Sequence, residues 1–82
     1  MTLTPKQFTS HFGEFLRHYR HTCNLSFDSV LAKSGTSRGN LSRIENGKGN
    51  PTLLLLCKLA KAMDTTPLQL FKEFQKHEQG ED

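Results

Sequence analysis

Apolar residues recur at helical spacing along most of the chain, and no stretch sustains the two-residue alternation of a strand. Phe8, Phe12, Phe15, Leu16 and Tyr19 form the first stripe, with Thr4 placed to cap it and Pro5 at the first helical position. The spacing predicts a helix over 5–21, somewhat weakened by Gly13. Thr22-Cys23-Asn24 is a turn. A short second helix is expected over 27–33, capped by Ser26, with Val30, Leu31 and Ala32 on its apolar side and Gly35 at its exit. A third begins after Thr36 or Ser37, points Leu41 and Ile44 inward, and stops at Asn46-Gly47. Pro51 and Thr52 open a fourth, whose buried stripe is Leu53, Leu56, Leu59, Ala60 and Met63. Asp64-Thr65-Thr66 breaks it. Pro67 starts a fifth, with Leu68, Leu70, Phe71 and Phe74 as its apolar residues.

Five short helices with tight connections fill 82 residues. The fold class is therefore all-α, with one compact domain over 1–75 and a polar, frayed tail over 76–82. A chain this short buries roughly 60% of its unfolded surface, so its core is marginal and help from a partner subunit is expected. No apolar run is long enough to cross a membrane, and the first residues lack the pattern of a secretory signal. Cys23 and Cys57 are too few for a disulfide scaffold and read as reduced thiols in a cytoplasmic protein, Cys57 as a small apolar filler beside the fourth helix.

Charge divides the chain. Residues 17–61 hold eight basic and two acidic side chains, a net of +6, whereas 62–82 hold two basic and five acidic, a net of −3. A basic middle with an acidic end fits a face turned toward a polyanion and an opposite face turned away. The basic segment contains the helix, turn and helix over 27–46. Gly35 permits the sharp turn, and Ala32 is the small residue expected where the two helices cross. Leu41 and Ile44 anchor the second of the pair. Ser37, Arg38, Asn40, Ser42 and Arg43 leave its other surface polar. A helix of this kind fits the major groove of DNA, where base edges carry a readable donor and acceptor code.

The text of this segment resembles the Cro and phage-repressor type of helix-turn-helix domain. The matching residues are Leu16, Arg20, Leu25-Ser26, Leu31-Ala32-Lys33-Ser34-Gly35, the run from Ser37 to Lys48, Asn50-Pro51-Thr52, Leu56, and Leu59-Ala60-Lys61-Ala62-Met63. The resemblance covers about residues 12–74 and implies a five-helix, lambda-repressor-like fold that binds double-stranded DNA and needs no cofactor. It places Ser37, Arg38, Ser42 and Arg43 against bases, with Gly39 allowing close approach, and Arg38 and Arg43 can each hold a guanine in a bidentate pair. It places Ser26, Asn46, Lys48 and Asn50 against phosphates, contacts that set register and carry little sequence information. It implies a structural salt bridge between Arg20 and Glu45. One departure appears: counted from Leu25 to Ala32, the segment Ser26–Leu31 is one residue too long. That leaves either Phe27 or Asp28 at a phosphate-facing position where Gln is common, or Ser26 or Ser29 as the donor instead.

Leu54 and Leu55 stand where the family carries polar residues, and Phe74 lies where so small a core is running out. The three are expected to form a dimer interface away from the recognition helix. The expected protein is a stand-alone, sequence-specific transcriptional regulator acting as a homodimer on a pseudo-palindromic operator. A restriction–modification controller that activates and represses is one alternative. An antitoxin-like module that also binds a protein partner is another, disfavoured by the short polar tail. Of His11, His18, His21 and Cys23, His18 and His21 are spaced to approach one metal, but no second ligand cluster accompanies them, so no metal is expected. No nucleophile, base and orienting group come together, which argues against an enzyme.

Overall fold

In the computed structural model, which describes residues 2–80, a reciprocal pair of hydrogen bonds starts the first helix. The Thr4 hydroxyl accepts from the Gln7 amide at 3.1 Å, and the Gln7 side chain accepts from the Thr4 amide at 3.0 Å. Helix α1 (Pro5–Thr22) follows. A single hydroxyl cap opens each of the others: Ser26 for α2 (Phe27–Ser34), Ser37 for α3 (Arg38–Glu45), Thr52 for α4 (Leu53–Ala62) and Thr66 for α5 (Pro67–Glu78). Each cap satisfies one of the amides that a helix start leaves without a partner. Gly35 closes α2 at φ +74°, a left-handed conformation that a side chain would oppose. No strand occurs among the described residues, and no helix among them is long and apolar enough to cross a membrane.

The core joins Phe12, Phe15 and Leu16 of α1 to Val30, Leu41, Ile44, Leu56, Leu59, Ala60, Met63, Leu70 and Phe74. Helix α1 packs on α3 and α5, while α4 packs on α2 and α5. The marginal apolar content is thereby spent on one cluster that every helix enters.

Several expected positions are corrected. Phe74, expected at a subunit interface, is 3% exposed. Helix α5 returns across α1, so the Phe74 ring lies 5.2 Å from those of Phe8 and Phe12 and 5.4 Å from that of Phe15. Leu53, expected inside, is 79% exposed. The buried face of α4 is set by Leu56, Leu59, Ala60 and Ala62, with Leu55 packed against the core, leaving Leu53 and Leu54 beyond it. Leu54 is 66% exposed, whereas Leu55 is half-buried against the core. Leu68 faces solvent, Phe8 and Phe71 form the rim of the aromatic cluster, and Cys57 is exposed rather than a filler.

In α2 the buried pair is Val30 and Ser34, with Leu31 packed partly against the core and Ala32 exposed. The small buried residue of α2 is therefore Ser34. Helix α2 runs regularly from its Ser26 cap. Gly13 is a packing requirement rather than a weak point. A Cβ there would lie 2.0 Å from the Ile44 carbonyl oxygen and 2.9 Å from the Gly47 amide nitrogen, so α1 and the end of α3 meet backbone to backbone. The expected tail is helical to Glu78, whose carboxylate bonds His11 on α1 at 2.6 Å. Gln79 and Gly80 form a turn, and the last two residues of that tail, 81–82, lie outside the described residues.

Candidate nucleic-acid interface

The short connection Gly35-Thr36-Ser37 joins α2 to α3, and Ser37 begins α3 by accepting from the Asn40 amide at 3.1 Å. Buried Leu41 and Ile44 fix which side of α3 faces the core. Ser37, Arg38, Gly39, Asn40 and Arg43 are exposed on the other side, and Ser42 is half-buried. Asn40 is turned back toward the turn, donating to the Thr36 hydroxyl at 2.9 Å. The exposed side of α3 thus presents a polar surface with two arginines, Arg38 in its first turn and Arg43 in its last.

The far end of α3 is clamped. Arg20 and Glu45 are 8% and 5% exposed. The Arg20 guanidinium donates to both Glu45 oxygens, at 2.9 and 3.1 Å, and to the Leu25 carbonyl at 3.1 Å. Buried charges are tolerated when paired and hydrogen-bonded in this way. Arg17 supports the same end: its Nε lies 3.7 Å from Glu45 Oε1, and its Nη2 donates to Asn46 at 3.3 Å. Asn46 in turn donates to the Ser42 hydroxyl at 3.4 Å. Beyond it the Lys48 and Gly49 amides both donate to the Arg43 carbonyl, at 2.9 and 3.0 Å. This folds the loop beneath α3, with the Lys48 and Asn50 side chains exposed. Ser26 sits at the start of α2, where its oxygen accepts from the Ser29 amide at 3.0 Å. The hydroxyl proton stays available to an outside acceptor.

Three residues near this surface escaped sequence reasoning in these roles. Arg17 precedes Arg20 by three positions on α1, a spacing that puts both on one helix side. Phe27 and Asp28 open α2 and both touch Arg38: the Asp28 carboxylate pairs with the guanidinium, and the Arg38 Cζ lies 5.4 Å from the Phe27 ring centroid. Away from this surface, burial pushes the Tyr19 phenol above its usual range. His11 is paired with Glu78, and the His18 and His77 rings pack 4.9 Å apart. Among the described residues, no group of three or more His, Cys, Asp or Glu is placed to hold a metal.

The profile of a helix-turn-helix domain family matches residues 11–71. The chain belongs to the helix-turn-helix family of DNA-binding regulators. It is 38% identical over 69 residues to Control protein C.SmaI of Serratia marcescens, a match covering 83% of this chain and 82% of that protein. A crystal structure of the restriction–modification controller protein C.AhdI from Aeromonas hydrophila aligns with a TM-score of 0.73 at 34% identity. That alignment covers 78% of this chain and 97% of the other. Some relatives are longer. The HTH-type transcriptional repressor RghR of Bacillus subtilis is 43% identical over 53 residues, 63% of this chain but 39% of RghR.

Proposed function

We propose that this regulator is a dimeric controller of the restriction–modification type, acting in the cytoplasm on a pseudo-palindromic operator. The observation that carries the reading is the construction of α3. Leu41, Ile44 and the Arg20–Glu45 pair hold one side, leaving Ser37, Arg38 and Arg43 exposed on the other. Arg38 and Arg43 read base edges, Ser37 and Ser42 add shorter-range contacts, and Ser26, Asn46, Lys48 and Asn50 hold the phosphate backbone. The controller reading is supported by likeness to two control proteins over more than three-quarters of each aligned chain. The adjacent exposed leucines Leu53 and Leu54, on a domain with so small a core, support association of two copies through the first turn of α4. A two-fold dimer presents its recognition helices to half-sites about 34–36 Å apart. Selection of bound DNA from a random pool, followed by sedimentation of the complex, tests this. Two inverted half-sites at that spacing with two chains bound are expected. A single half-site carrying a monomer would overturn the dimeric reading.

A further inference from the structure

Arg38 does not stand free on the surface of α3. Its guanidinium is ion-paired with Asp28 and lies over the Phe27 ring. The guanidinium carbon of Arg20 also lies over that ring, 5.6 Å from its centroid, and Arg20 is bound to buried Glu45. Contacts therefore run without a break from the buried ion pair, through Phe27, to Arg38 and Asp28. Phe27 and Asp28 are themselves fixed, because they form the first turn of α2 between the Ser26 cap and buried Val30.

We propose that Phe27 and Asp28 are positioning residues for Arg38, holding its guanidinium in one orientation and so setting the base preference at a single operator position. The inference rests on Arg38 contacting a base. A long arginine side chain surrenders rotamer freedom when it binds, and a side chain already held in place surrenders less. The guanidinium has five N–H donors, so one edge can engage a guanine while another keeps Asp28. Asp28 also places a negative charge on the face that approaches the phosphates. That charge opposes indiscriminate attraction and offsets the charge Arg38 would otherwise lend to any DNA. The pair thus trades affinity for all sequences against preference for one.

The test compares the wild-type chain with Asp28→Asn, Phe27→Leu, Arg38→Ala and the Asp28→Asn/Arg38→Ala double variant. Each is titrated against the selected operator, its single-base-pair variants and random DNA, with helical circular dichroism confirming the fold. Asp28→Asn is expected to tighten binding to random DNA. It should relax the preference about three- to fivefold at the base pair that Arg38→Ala relaxes, and at no other, the size an exposed ion pair supports. Phe27→Leu, which keeps an apolar side chain, should relax the same base pair. In the Arg38→Ala background, Asp28→Asn should change no base preference. The proposal is overturned if Asp28→Asn tightens all DNA equally and leaves every preference intact. It is also overturned if Asp28→Asn changes a preference equally with and without Arg38, which would make Asp28 a direct contact. An Arg38→Ala chain with every preference intact would refute the role of Arg38 and the proposal with it. A wild-type chain with no operator preference would refute the proposed function instead.

Discussion

Replacing Gly13 by Ala sets helix propensity against packing. In an exposed helix interior the change favours the helix by up to about 1 kcal/mol. In this protein the added Cβ would lie 2.0 Å from the Ile44 carbonyl oxygen, far inside the roughly 3.3 Å at which carbon and oxygen normally meet. The obstructing atoms belong to the backbone of α3 and the following loop, so no rotamer change relieves the overlap. Helix α1 must retreat from α3 by about 1 Å, which strips a quarter to a half of the dispersion energy from contacts along the seam. Overpacking typically costs about 1–3 kcal/mol, and the backbone location puts this site at the upper end. After subtracting the propensity gain, Gly13→Ala should lose about 2 kcal/mol. For a domain of this size that lowers Tm by about 8–16 °C. Thermal and urea unfolding, followed by circular dichroism, measure the effect. Gly39→Ala is the matched control, since nothing lies within 4 Å of its added Cβ; it should be neutral or stabilising by up to about 1 kcal/mol. A Gly13→Ala protein as stable as the wild type, or more so, would refute the backbone contact between α1 and α3.

Arg20→Ala removes both short hydrogen bonds to buried Glu45 and leaves it only the longer contact with exposed Arg17, and should cost about 3 kcal/mol, read from denaturant midpoints. Lys48→Ala should weaken operator and random DNA alike and reduce the salt slope by about 1 per chain, while Arg43→Ala should reduce discrimination by about 1–3 kcal/mol; titrations at several salt concentrations separate the two. Leu54→Glu should raise the dimer dissociation constant about tenfold or more while monomer stability stays within about 0.5 kcal/mol, as sedimentation and thermal melts would show. Tyr19 is the sole tyrosine, so its ultraviolet titration is unambiguous and should centre above pH 10. Because folding favours its neutral form, the associated stability is complete below pH 10 and falls as pH rises through the folded value.

Helix starts were legible because their chemistry is local: Thr4-Pro5 and Ser26 announce caps, Thr36-Ser37 and Pro51-Thr52 mark starts to within a residue or so, and Pro67 marks the first position of the fifth helix. The polar face of α3 was legible for the same reason, being what Leu41 and Ile44 leave over. Burial at helix ends was not. Whether Leu53 or Phe74 meets the core depends on where neighbouring helices stop, and periodicity does not carry that information. Ala32 misled because a small residue beside Leu31 satisfied the expected pattern, although the small residue that is buried is Ser34. Arg38 with Phe27 and Asp28, and Gly13 with Ile44, are juxtapositions across separate helices that no local spacing encodes.

Helices α2 and α3 have eight residues each, well short of the dozen or more that an isolated helix needs to persist in water. The surface proposed to meet DNA therefore has no existence apart from the whole domain, and appears and disappears with cooperative unfolding. The fraction of chains able to occupy an operator equals the folded fraction. Proteolysis of the unfolded remainder would then lower occupancy as directly as the loss of a base contact. Inactivating alleles should accordingly fall at Phe15, Leu59 or Leu70 as readily as on α3. Growth temperature should separate the two groups, with core alleles recovering regulation in the cold and α3 alleles staying inactive at every temperature.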